Sequence, residues 1–242
     1  MMKILGIESA ALVASVAIID ENVTIAEYTT NFKKTHSETL LPMLDEIVKM
    51  TGVDLKELSA IAISGGPGSF TGLRIGAASA KGLGLALDLP LIHVPTLDAM
   101  ALNIYSSNAL IVPIMDARRN QVYTGIYKND HHLEVVRESM AVSIDELLDI
   151  LREIDRKEKI KNIVFLGDGV PVFREYIDEK LTMKHDFAPL NLNRQRASNI
   201  AMLGMEMMKA GKVISADDMK PNYLRKSQAE RERDVAKTDA SL

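Results

Sequence analysis

The sequence contains no cysteine. That excludes disulfide frameworks, thiol nucleophiles and Cys-based zinc sites, and it suits a reducing compartment. Tryptophan is absent too and aromatics are only 5%, so Leu, Ile, Val, Ala and 13 Met must fill whatever core the chain builds. Long apolar runs are also missing. Glu8 interrupts the N-terminal stretch, and Asp88 and Pro90 interrupt the run from Leu83 to Val94. No segment reaches the roughly 18 apolar residues that a membrane span requires. No basic flank or small-residue cleavage site gives the N-terminus the form of a signal peptide. A soluble, cytoplasmic protein without membrane attachment is expected. Finally, there is no basic excess: 29 Lys and Arg stand against 33 Asp and Glu, for a net charge of −4. Counterion release drives the gripping of a phosphate backbone, so strong binding of a nucleic acid by this chain alone is not expected.

What is present reads as an α/β protein. The 242 residues, 47% hydrophobic and 26% charged, suffice for one large domain or two small ones with a full core. Lys3–Ile7, Leu12–Ile19 and Thr24–Thr30 read as three successive strands. Leu40, Leu41, Leu44, Ile47 and Val48 then recur at helical spacing, with Thr35 and Glu38 as a capping box before them and Gly52 as a stop. Ala60–Ser64 is a strand, Thr71–Leu87 a helix, Pro90–Val94 a strand and Thr96–Ser106 a helix. A second round follows. Leu110–Met115, Val122–Tyr127 and Leu133–Met140 are strands; Ser143 and Glu146 cap a helix over Ile144–Ile154. Ile163–Leu166 is a buried strand, Gly167-Asp168-Gly169 a turn, and Val172–Leu181 a helix. The repeated β-β-β-α-β-α plan predicts a duplicated fold with two mixed sheets. Ser198–Lys209 is a last amphipathic helix. The charged residues 226–242 have little to bury and are expected to be ordered only by a partner.

The most informative stretch runs from Gly65 to Gly76, between a strand and a helix. Its glycines and hydroxyls suit either a purely conformational turn or an anion at a helix N-terminus. The Gly-Lys-Ser/Thr ending of a nucleotide-binding P-loop is missing. The helix after it carries Gly76, Gly82 and Gly84 in its interior, each costing about 1 kcal/mol against Ala. Gly76, Ala80 and Gly84 fall four apart and form one small-residue stripe. Two readings stay open for that stripe: close packing on the protein's own sheet, or a seam for a second subunit, with the helix at Leu40–Val48 beside it. His36 next to Ser37 and Glu38 is either part of a capping cluster or a partner contact. Asp116, Arg118 and Arg119 end a strand, as a local ion pair or as a contact to a nucleotide or a sister subunit.

At these residues the chain resembles the TsaB/YeaZ family. The matching pieces are Ile7-Glu8-Ser9, His36-Ser37-Glu38 with Leu40-Leu41-Pro42, the whole Gly66–Gly76 segment and Lys81-Gly82-Leu83. Met115-Asp116-Ala117-Arg118 with Val122-Tyr123, and Pro221-Asn222-Tyr223-Leu224-Arg225, complete them. The similarity is strongest over residues 1–127. It implies a two-lobed actin-like ATPase (ribonuclease H-like) architecture. The expected lobes are residues 1–107 and 108–225, with the last helix packing back on the first lobe. It also implies a dimerisation subunit of the bacterial complex that makes threonylcarbamoyladenosine on tRNA, with the catalytic paralogue TsaD and the ATPase subunit TsaE as partners, and a homodimer in isolation.

The resemblance further implies that this chain is not the catalyst and needs no cofactor or metal. The catalytic paralogue holds a metal with a His-x-x-x-His pair just after the strand that follows the Gly-rich helix. Here Thr96 and Met100 occupy those places, and both are poor ligands for a divalent metal. None of the five histidines stands four from another. In the actin-like phosphate loop, Glu8, Ser9 and Ala10 replace an Asp-Thr-Ser pattern. Glu8, Ser9, Gly68, Ser69 and Thr71 remain weak nucleotide candidates, and an active ATPase or kinase is the alternative reading. The expected docking residues are His36, Leu40, Leu44, Ile47, Leu73, Gly76, Ala80, Leu83 and Gly84. On that reading Gly76→Glu or Ala80→Arg abolishes association and leaves the fold intact.

Overall fold

The computed structural model describes residues 1–32, 34–105, 107–220 and 224. Most of the Pro221–Arg225 motif and the charged tail therefore lie outside the described residues. The first half holds β1 (Lys3–Glu8), β2 (Ala14–Asp20), β3 (Thr24–Thr30), α1 (His36–Thr51), β4 (Ala60–Gly66), α2 (Phe70–Leu87), β5 (Leu91–Pro95) and α3 (Thr96–Ala101). The second holds β6 (Ser107–Asp116), β7 (Gln121–Asp130), β8 (His132–Ser143), α4 (Ile144–Glu158), β9 (Ile163–Leu166), α5 (Val170–Lys180), β10 (His185–Phe187) and α6 (Ala197–Lys209).

The two sheets have one topology, written twice. Their strand orders are β3-β2-β1-β4-β5 and β10-β9-β6-β7-β8. Each is an antiparallel meander with two further strands added in parallel beside its first strand. The duplicated plan read from the periodicities is thus present, with the short β10 as the strand that its three residues were too few to announce.

Alternation along the strands decides the layers. In β4, Ile61 and Ile63 face one way and join Leu5, Ile7, Val16 and Ile18 under Leu40, Met43, Leu44 and Ile47 of α1 and Ala77 and Ala80 of α2. Ala60 and Ala62 face the other way, with Ile4, Ile92 and Val94, against Ile200, Ala201 and Met205 of α6. Small residues on that face let α6 come very close: a Cβ on Gly6 would lie 2.2 Å from the Ala197 carbonyl oxygen, and one on Gly204 2.5 Å from Ala62 Cβ. Sheet two is covered on its outer face by α4 and α5. Its inner face, with Ile111, Met115, Tyr127 and Leu166, packs on Ala10, Leu73, Leu97 and Met100 of the first half. The third helix stops at Ala101, short of the expected Ser106. Asn103 follows, and its amide donates to the carbonyls of Leu192 and Arg194 at 2.9 and 2.7 Å, drawing the chain into the other lobe.

Candidate functional site

The C-terminal ends of β1, β4 and β6 and the turn after β9 lie within reach of one another: Glu8 contacts Ser64 and feels the charge of Asp168, which in turn feels that of Asp116. Glu8 is 1% exposed. Its Oε1 accepts the Ala10 amide at 2.6 Å, and the Ser64 hydroxyl bonds to the carboxylate while accepting the Ser9 amide at 3.1 Å. Burial is the dominant effect and pushes the Glu8 carboxyl up to about 7. The bonds from Ala10, Ser64 and Ser9 oppose it, and the charge of Asp168 adds to it. Asp168 is raised as well, first by burial, against the Gln195 bond and the Arg194 charge, with Asp116 adding. Gln195 Nε2 donates to Asp168 Oδ1 at 3.2 Å, and Arg194 Nη1 donates to the Gly167 carbonyl at 2.8 Å. Glu8 and Asp168 are thus an acid pair drawn from the two lobes, each pushed toward its protonated form mainly by burial.

Of the remaining nucleotide candidates, Gly68 and Ser69 serve the backbone. Ser9 is buried, and its hydroxyl has no partner among the described residues. The Ser69 amide donates to the Ala10 carbonyl at 2.6 Å, and Ser69 Oγ accepts the Gly72 amide at 3.3 Å as the cap of α2. A Cβ on Gly68 would meet the Ala10 carbonyl oxygen at 2.3 Å. Thr71 is exposed in the first turn of α2. The Gly-rich turn is therefore sewn to the β1–β2 loop, as its conformational reading requires.

The docking residues need a correction. Leu40, Leu44, Ile47, Leu73, Gly76, Ala80 and Gly84 are all buried within the chain itself. The glycine stripe accommodates the protein's own elements: a Cβ on Gly76 would lie 2.1 Å from Ser9 Oγ, and one on Gly84 2.9 Å from Leu91 Cδ2. Leu83 is half-buried against the same core. His36 is half-buried, and its Nε2–H donates to the Val13 carbonyl at 3.1 Å, so it ties α1 to the β1–β2 loop. The apolar periodicity marked the inward faces. The outward faces of these helices carry Leu41, 50% exposed, Ala78, Gly82 and Leu85, 61% exposed.

Thr96 and Met100 are 0% and 1% exposed. The Thr96 hydroxyl accepts the Gly66 amide at 3.2 Å, and Met100 fills the core between the lobes. No group of three His, Asp or Glu able to hold a metal ion occurs among the described residues. His93 is held below its usual range by burial, against a hydrogen bond to the Gly65 backbone. Sequence reasoning missed the segment before α6. Asn193 Oδ1 accepts the Gly167 amide at 2.7 Å, and Arg194 and Gln195 reach the same turn. Arg196, Ser198 and Glu27 form a further cluster at the start of α6. A dense polar run, Asn191–Arg196, was its only signal, and it has no period. Asp98, raised by burial, accepts the Tyr127 hydroxyl at 2.8 Å and was likewise unmarked.

Comparison with known proteins adds four findings. The family described as TsaD, tRNA N6-adenosine threonylcarbamoyltransferase, matches residues 24–233. The tRNA threonylcarbamoyladenosine biosynthesis protein TsaB of Bacillus subtilis is 35% identical, covering 95% of this chain and 96% of its own length. The Escherichia coli protein of the same name is 29% identical over 94% and 96%. The solved structure of YeaZ from Pseudomonas aeruginosa superposes with a TM-score of 0.75 at 23% identity, covering 93% of this chain and all of that one, which shows the shared two-lobed fold.

Proposed function

Because the chain belongs to the TsaB family of tRNA threonylcarbamoyladenosine biosynthesis proteins, we propose that it is the non-catalytic scaffold subunit of that pathway's transferase. One observation carries this reading. At the places where the catalytic paralogue has its histidine pair, this chain has Thr96 and Met100, both consumed by its own turn and core. The scaffold binds the transferase TsaD, works alongside the ATPase subunit TsaE, and pairs with itself when they are absent. Its place is the cytoplasm.

The docking surface is the outward side of α1 and α2, not the buried stripe. Leu41, Ala78, Gly82 and Leu85 are exposed there. Small residues on α2 let a second helix approach its backbone, and the two leucines supply apolar area toward the roughly 800 Å² per partner of a specific interface. Both helices belong to the lobe expected over residues 1–107. The test is co-elution of the chain with the transferase subunit, read by light scattering. Ala78→Arg with Leu85→Glu abolishes association while circular dichroism and the melting temperature stay unchanged. Association that survives both charges refutes the proposal.

A further inference from the structure

The β6–β7 connection is folded in a way that its residues disfavour. Arg118, Arg119 and Asn120 have φ of 64°, 55° and 60°. These are three consecutive residues with side chains in the left-handed region, where a Cβ crowds the following carbonyl. The Ala117 amide donates to the Gln121 carbonyl at 2.9 Å and the Gln121 amide to Arg118 at 3.2 Å. Arg119 and Asn120 are thus the central residues of a tight reversal, for which Asn-Gly is the usual pair. Asn tolerates this conformation; two arginines gain nothing from it.

Nor do their side chains hold the fold together. The Arg118 side chain is 88% exposed, and its ion pair with Asp116 is 3.5 Å long. Asp116 instead fixes the turn by accepting the Arg118 amide at 2.8 Å. Arg119 is exposed and has no ion pair among the described residues, and the amides of Arg119 and Asn120 find no acceptor there either. Two exposed guanidinium groups and two amides without an acceptor among the described residues therefore follow shortly after Asp116, whose charge reaches Asp168, in a chain whose net charge is −4. Glycine would serve the backbone better, so the side chains are what the turn retains.

We propose that Arg118 and Arg119 bind phosphates of the tRNA backbone, guanidinium to phosphate oxygen, with the free amides assisting. This rests on the reading above for the identity of the polyanion. Because the groups project outward, they fit a chain of phosphates passing over the surface rather than a nucleotide buried between lobes. Two such contacts are too few to hold RNA alone, so they add to an interface supplied mainly by the partner.

The test measures tRNA binding by the chain assembled with its transferase partner, between 50 and 200 mM salt, for the wild type, Arg118→Gly with Arg119→Gly, and Arg118→Lys with Arg119→Lys. The Gly pair is expected to lower the slope of log K against log salt by about 1.4 to 1.8, as for two lost phosphate contacts. It should weaken binding roughly tenfold, leave co-elution with the partner unchanged, and keep or raise the melting temperature. The Lys pair should keep most of the slope. An unchanged slope overturns the proposal, as does loss of the partner, which would place the guanidiniums on a protein carboxylate. If the wild type forms no complex, the scaffold reading has failed. The slope is then measured on the isolated chain at low salt, where the same difference between wild type and Gly pair is required.

Discussion

Two glycines six residues apart in α2 should respond oppositely to the same change. Helix propensity alone favours Ala over Gly by about 1 kcal/mol. At Gly82 a new Cβ meets nothing within 4 Å, so Gly82→Ala should stabilise by about that amount. At Gly76 the Cβ would lie 2.1 Å from Ser9 Oγ, 3.0 Å from Ile63 Cδ1 and 3.1 Å from Ser9 Cβ. The loop carrying Ser9 has nowhere to retreat. A Cβ on Gly72 would already stand 2.1 Å from the Ser9 carbonyl oxygen, and Gly68 is equally tight on Ala10. Overpacking of this kind costs about 1–3 kcal/mol; an approach as short as this takes the upper end, which leaves a net loss of about 2 kcal/mol after the propensity gain. For a chain of this length each kcal/mol moves the melting temperature by about 2–4 °C. Gly76→Ala should therefore melt about 4–8 °C lower, and Gly82→Ala about 2–4 °C higher. Ser9→Ala combined with Gly76→Ala removes the 2.1 Å contact and should recover much of the loss, a coupling readable as a double-mutant cycle. Thermal melts followed by circular dichroism are the assay. A Gly76→Ala protein at least as stable as wild type, or a double variant no better than the sum of its singles, refutes the packing argument.

Glu8 makes stability fall with rising pH. Its carboxyl goes from an ordinary 4.5 to about 7 on folding, so the folded chain holds the proton more tightly. That contribution is complete below about pH 4.5 and is lost as pH rises through 7. It amounts to about 3 kcal/mol, which Glu8→Gln should make independent of pH in urea melts between pH 5 and 8; an unaltered slope in that variant rules the effect out. Glu27 acts in the opposite sense. Burial raises it, but the bonds from Arg196 and Ser198 prevail and hold it below its usual range, so its stabilisation is present above that range and lost on acidification. Glu27→Ala removes the acceptor of the Ser198 amide at 2.9 Å and of Arg196 Nε at 3.1 Å. It should cost about 2–3 kcal/mol at pH 7, shrinking toward pH 3; a constant difference across that range would locate the effect elsewhere.

How much of this was legible in the sequence follows from which signals have a period. The duplicated sheets were, because β-branched runs alternate and the helices between them repeat at three to four residues. The Gly52 stop and the Ser143 cap were, because each is a local rule: Gly52 sits at φ 69° and Ser143 Oγ accepts the Glu146 amide at 3.1 Å. The acid pair was not. Glu8 and Asp168 stand 160 positions apart in the numbering, and nothing local records that two strand ends converge. The polar segment Asn193–Arg196 was invisible for the same reason: its partners Gly167, Asp168 and Glu27 lie on other elements.

The misplaced docking face shows where periodicity misleads. A stripe of Leu40, Leu44 and Ile47 on one helix and Gly76, Ala80 and Gly84 on the next marks a surface that will be covered, and says nothing about what covers it. In a three-layer fold the protein's own sheet has first claim on such a stripe, since an isolated chain must bury its apolar faces before any partner arrives. A docking face has the opposite signature. It must stay tolerable in water until it is used, so it carries few large apolar groups among small or polar ones. Leu41, Ala78, Gly82 and Leu85 fit that description, and their weak pattern is the reason it escaped notice. The same reasoning applies to the turn at Arg118 and Arg119. A residue that its backbone disfavours, and that the core does not use, is retained for something outside the molecule.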